Sequence, residues 1–132
     1  MSNNFTEISV SARFSSLSEL MQHIAEQAAE AGADNHAIQR IQLVLEELFT
    51  NTVNHGYGGE SDAPIGARLA CHQGEITLDY TDRAPCFDLG KMPLQDASTV
   101  DVGGLGLTLI HSLSKQVSHH YAAHANHVRV TF

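Results

Sequence analysis

The chain is short of the residues that mark several common roles. Its 132 residues hold two cysteines, Cys71 and Cys86, which fit no metal-ligand spacing and make at most one bridge, so a disulfide scaffold is excluded. Seven Lys and Arg stand against fifteen Asp and Glu, and the net charge of −8 disfavours nucleic acid, whose binding rests on neutralising phosphates. No apolar run approaches a membrane span and no basic-then-apolar start resembles a signal peptide, so the expected location is the cytoplasm, with no membrane partner. Repeats, linkers and low-complexity tracts are missing too. A single domain over residues 1–132 is therefore expected, and 42% apolar content is enough for one core. The acidic balance suits solubility or a basic protein partner.

What is present changes period in a clear order. Ile8, Val10 and Ala12 alternate with polar residues, as in a half-buried strand. Leu17, Leu20, Met21, Ile24 and Ala28 recur at helical spacing up to Gly32, placed like a C-terminal cap. Asp34 can cap a second helix that turns Ile38, Ile41, Leu45, Leu48 and Phe49 inward and ends near His55, where Gly56, Gly58 and Gly59 stop it. Two strands are predicted at 65–72 and 75–82 with a tight hairpin at Gln73-Gly74. In the second, Ile76, Leu78, Tyr80 and Asp82 share one face. The aperiodic stretch from Leu89 to Val102 reads as a functional or mobile loop, followed by a helix from about Leu105 to Lys115 and a closing hairpin in which Val128, Val130 and Phe132 alternate.

Three segments carry chemistry. On a helix, Glu47, Asn51 and His55 form one polar stripe, and carboxylate and amide oxygens are the hard ligands Mg²⁺ takes beside substrate phosphates. Asp82, if buried at a strand end, is an acceptor suited to the exocyclic amino group of adenine. Gly103-Gly104-Leu105-Gly106-Leu107 opens a helix whose N–H groups can receive phosphate oxygens. No Walker-type lysine motif accompanies it, and no Gly-x-Ser-x-Gly elbow supports a hydrolase triad. Nine histidines invite a metal site, and His120 and His124 share a strand face, yet no nearby Cys or carboxylate completes a zinc set. Solvated edge-strand residues are the reading adopted for them.

These segments, in this order, resemble the GHKL-type ATP-binding domains, specifically the stand-alone anti-sigma-factor serine/threonine kinases (RsbW- and SpoIIAB-like), over essentially the whole chain. Glu47-Leu48-Phe49-Thr50-Asn51, continuing through Asn54-His55-Gly56-Tyr57, resembles the N box. The resemblance implies that Glu47 activates the nucleophile, that Asn51 binds Mg²⁺, and that Asn54 and His55 lie at the nucleotide. Asp82 to Asp88 resembles the G1 box, with Asp82 reading the adenine amino group and Phe87 nearby. Ala84 replaces the usual glycine there, which places a methyl near the base. Gly103, Gly104, Leu105, Gly106, Leu107 and Thr108 match the G2 box, and residues 89–102 would form the ATP lid. Ala125-Asn126-His127-Val128 stands where the family often has a Gly-Asn turn, remote from the chemistry.

The implied fold is a Bergerat-type two-layer α/β (α+β) sandwich, helices on one face of a mixed, largely antiparallel sheet. The implied activity is transfer of the ATP γ-phosphate, with Mg²⁺, to a serine of a STAS-type anti-sigma-factor antagonist. The other implied partner is a sigma factor, and a homodimer is compatible with the family. Two rival classes stand beside this reading: an ATP-dependent protein-binding module without transfer, and a sensor-kinase ATPase domain phosphorylating histidine.

Overall fold

A computed structural model describes residues 2–86 and 102–132. The chain runs β1 (Ser2–Asn4), β2 (Ile8–Ser11), α1 (Phe14–Glu30), α2 (Asn35–Asn51), a π-helical turn (Thr52–Gly56), β3 (Pro64–His72), β4 (Glu75–Asp82), α3 (Val102–Leu113), β5 (Gln116–Ala122) and β6 (Ala125–Thr131). The strands form one sheet in the order β1-β3-β4-β6-β5, with β2 also paired to β3, and every described pairing is antiparallel. The expected α+β sandwich is therefore present, with an antiparallel sheet. The alternating side chains of the strands account for the two layers. Ile65, Ala67, Leu69, Leu78, Tyr80, Val128 and Val130 point to one side and meet Leu20, Ile24 and Ala28 of α1, Ile41, Val44, Leu45, Leu48 and Phe49 of α2, and Ile110 of α3. Among the described residues no helix is long and apolar enough to cross a membrane.

Local signals act where the sequence places them. Gly32 has φ +92° and ends α1: its N–H bonds the Ala29 carbonyl and the Ala33 N–H bonds that of Ala28, a Schellman closure that favours glycine. The Asp34 carboxylate accepts the Ala37 N–H at 2.8 Å and caps α2. Gln73 and Gly74, with φ +52° and +81°, make the two-residue turn that sets His72 opposite Glu75. The β5–β6 hairpin uses the same device with Ala123 and His124, at φ +54° and +59°. His124 thus sits in the turn and not on a strand face with His120. Helix α3 starts at Val102, three residues before its expected start, so Gly103, Gly104 and Gly106 lie within its first turns.

Candidate active site

The N-box helix changes pitch at the point where the stripe was expected to continue. Helix α2 ends at Asn51, and Thr52–Gly56 closes a π turn through a Tyr57 N–H to Thr52 carbonyl bond of 2.7 Å. An i→i+5 turn is wider than an α turn, so the four-residue relation that joins Glu47 to Asn51 does not extend to His55. Glu47 and Asn51 are half-buried, whereas Asn54 and His55 are exposed. The same turn sends Thr52 and Val53 into the core. Burial, with the Glu46 charge adding to it, raises the Glu47 carboxyl above the ordinary glutamate value of 4.5.

Thr52 is the residue that joins this helix to the G1 segment. Its hydroxyl donates to Asp82 Oδ2 at 2.7 Å and lies 2.6 Å from the Tyr80 hydroxyl, which also donates to the Leu48 carbonyl at 3.2 Å. Burial pushes the Tyr80 phenol well above its usual value, which keeps it a donor. On the other side, Asp82 Oδ1 accepts the Ala84 N–H at 3.1 Å and Asn126 Nδ2 at 2.9 Å. Asp82 is 1% exposed, so these bonds replace the water it has lost. Asn126 Nδ2 also lies 3.0 Å from the Ala84 carbonyl and 3.3 Å from that of Pro85, while its Oδ1 meets His119 Nε2 at 2.9 Å. The amide orientation follows from chemistry: reversing it would set an amide oxygen against the carboxylate. His119 therefore carries its hydrogen on Nε2.

This corrects two expectations. Ala125, Asn126, His127 and Val128 belong to β6, not to a turn, and Asn126 is not remote from the chemistry, because it binds Asp82 directly. The Ala84 methyl is buried and packs on the N-box turn: a Cβ built on Gly56 would lie 2.9 Å from it. Tyr57 reinforces the join, donating to the Pro64 carbonyl at 2.7 Å and accepting the Arg83 N–H at 2.8 Å. Helix α3 packs beside α2 through Ile110, which brings the glycine-bearing helix next to the N-box helix. Thr108 is exposed on α3. Phe87 and the expected lid up to residue 101 lie outside the described residues, as do the side chains of Leu105 and Leu107.

The donor set suits the groups implied for it. A carboxylate offers about four acceptor positions, and Thr52, Ala84 and Asn126 take three, which leaves one on Oδ2 for an amino group. Among the described residues no group of three or more His, Cys, Asp and Glu is placed to hold a metal. An ion held by one amide oxygen and substrate phosphates needs no such group.

Fold and box order together define a GHKL-type ATP-binding domain. The chain belongs to the histidine kinase-like ATPase domain family, whose profile matches residues 10–132. It is similar to the serine-protein kinase RsbW of Listeria monocytogenes serotype 4a, 29% identical over 102 residues, or 71% of this chain and 65% of that protein. The RsbW of Oceanobacillus iheyensis is 28% identical over 98 residues, or 68% of this chain and 62% of that one. Among solved structures, the RsbU and RsbW domains of Rv1364c from Mycobacterium tuberculosis superpose with a TM-score of 0.66 at 21% identity, over 96% of this chain and 32% of that one. The SiaB–SiaC complex from Pseudomonas aeruginosa gives 0.70 at 14% identity, over 98% of this chain and 89% of the matched chain. The chain therefore spans under two thirds of the length of these RsbW relatives, and the two structural likenesses establish the fold.

Proposed function

We propose that residues 1–132 form a single kinase domain that acts in the cytoplasm as an anti-sigma, partner-switching factor, phosphorylating a serine of a STAS-type antagonist. The observation that supports this reading best is the Thr52–Asp82 bond, which ties the carboxylate assigned to the base to the helix carrying Glu47 and Asn51. Bound ATP would supply the γ-phosphoryl group, and Mg²⁺ would offset its charge. Glu47 accepts the proton of the incoming serine hydroxyl, whose oxygen gains the phosphoryl group as ADP leaves, and the burial that raises its pKa makes it a stronger base than a free glutamate. Asn51 offers the amide oxygen for the ion, and the first turns of α3 offer backbone N–H groups to the phosphates. The sigma factor and the antagonist are the proposed partners, each bound in exchange for the other.

The test is incubation with γ-labelled ATP, Mg²⁺ and a candidate antagonist, followed by phosphoamino-acid analysis. Label on serine, lost when Glu47→Gln replaces the wild type, is the expected result. Label retained on the chain itself, or no transfer while ATP still binds, refutes the kinase assignment.

A further inference from the structure

The face of the sheet turned away from the helices is not a neutral surface. Its outward side chains form polar rows across the strands. Arg68, Asp79, Arg129 and Ser118 are register neighbours on β3, β4, β6 and β5, and the adjoining row holds Thr81, His127 and His120. Asp79, 19% exposed, fixes both arginines, with Arg129 Nε at 2.7 Å and Arg68 Nε at 3.5 Å. A carboxylate cannot occupy every N–H of two guanidinium groups, so each keeps donors for a ligand. His120 and His127 stack with ring centroids 4.7 Å apart. Arg83 joins them in lining a groove of about 560 Å³ over these rows. In a chain of net charge −8, the groove's charged side chains, three arginines against Glu7 and Asp79, sum to +1, which leaves −9 for everything else.

We propose that this groove binds an acidic peptide segment of a partner protein, its carboxylates engaging Arg68, Arg83 and Arg129. Spacing argues for an extended occupant. Arg68 and Arg129 converge on Asp79, whereas the backbone of Arg83 lies four residues further on, about 13 Å away, so an occupant that spans this length engages all three more readily than one small oxyanion held at the arginine pair. The rows hold no Phe, Tyr or Trp, and their two imidazoles stack on each other, which favours a peptide over a single-stranded nucleic acid. The groove lies on the face opposite the helices, and its occupancy rests on no assumption about nucleotide binding.

Fluorescence anisotropy with a labelled Glu-Ser repeat peptide tests the assignment on the full chain. Binding is expected at low ionic strength, weakening with salt. It should fall about tenfold in the Arg68→Gln/Arg129→Gln double variant and about threefold in Arg83→Gln, with Arg40→Gln on α2 unchanged. Arg83 lies outside the Asp79 pairs, so its variant reports even if the double variant folds poorly. Equal binding by Arg83→Gln and wild type, an equal loss in Arg40→Gln, or tighter binding of an oligothymidylate of matched charge overturns the proposal. So does a wild-type dimer that Arg129→Gln dissociates, because the face would then be covered by a second copy.

Discussion

Thr52→Val isolates the bond on which the site turns, because valine differs from threonine in the hydroxyl alone. The Thr52 hydrogen goes to Asp82 Oδ2 at 2.7 Å, so the single Tyr80 hydroxyl hydrogen is shared between Thr52 Oγ1 at 2.6 Å and the Leu48 carbonyl at 3.2 Å. Valine removes the Asp82 bond and leaves Tyr80 one partner, without opening a cavity. A buried hydrogen bond to a charged group contributes about 1.5–3 kcal/mol, and the added methyl recovers part of that, so the net loss is about 2 kcal/mol. With an unfolding entropy of about 2.1 cal/mol/K per residue, a domain of this length should melt about 7 °C lower. Calorimetry and urea titration check the figure. Tyr80→Phe leaves the Thr52–Asp82 bond in place and should cost about 1 kcal/mol. The double variant should cost less than the sum, because the two hydroxyls share one interaction. A Thr52→Val protein within about 0.5 kcal/mol of wild type would refute the claim that Asp82 depends on the N-box turn.

Gly56→Ala should destabilise by about 1–3 kcal/mol, because its Cβ would sit 2.9 Å from that of Ala84; pairing it with Ala84→Gly should recover most of the loss, read by urea midpoints. Glu47→Gln should abolish phosphoryl transfer while keeping the helix, and in the wild type the acid limb of kcat/KM should lie above pH 4.5. The stability sign follows from the raised folded-state value: the Glu47 contribution is complete below the unfolded value and is lost as pH rises through the folded one. The variant should therefore gain on wild type between acid and neutral pH, which melting curves across that range would show. Ala123→Gly should stabilise by about 0.5–1 kcal/mol, because alanine is strained at φ +54°; an unchanged melting temperature would count against strain in that turn.

The parts that were legible in the sequence are those governed by local rules. The caps at Gly32 and Asp34, the Gln73-Gly74 hairpin and the inward face ending at Asp82 each follow from a residue type acting on its own neighbours. Strand β1 was not legible, since a three-residue edge strand carries no period. The π turn escaped because hydrophobic periodicity assumes about 100° per residue, and one wider turn moves His55 out to solvent while burying Thr52 and Val53. Asn126 escaped for a different reason. Its partner is 44 residues away, and only the β4–β6 register, with Asp82 opposite Asn126, brings them together. An asparagine flanked by alanine and histidine reads as a turn residue, although a polar residue set two before Val128 and four before Val130 on an inward-facing strand was a usable signal of a buried polar partner.

The glycine that the G1 box lacks takes on a different meaning once position 84 is placed. Read alone, a methyl at that point narrows a nucleotide pocket. In three dimensions it fills the gap left by Gly56, so the missing glycine of one box is matched by a glycine kept in another. The two boxes then constrain each other: Thr52 and Gly56 on the π turn hold Asp82 and Ala84, and Asn126 holds the same pair from β6. A carboxylate gripped from both sides cannot reorient to suit an arriving ligand. On the proposed reading this rigidity gives selectivity, because the remaining Oδ2 position accepts a hydrogen and has none to give. An adenine amino group satisfies it, whereas a guanine carbonyl at that point would set oxygen against oxygen with no donor able to turn between them.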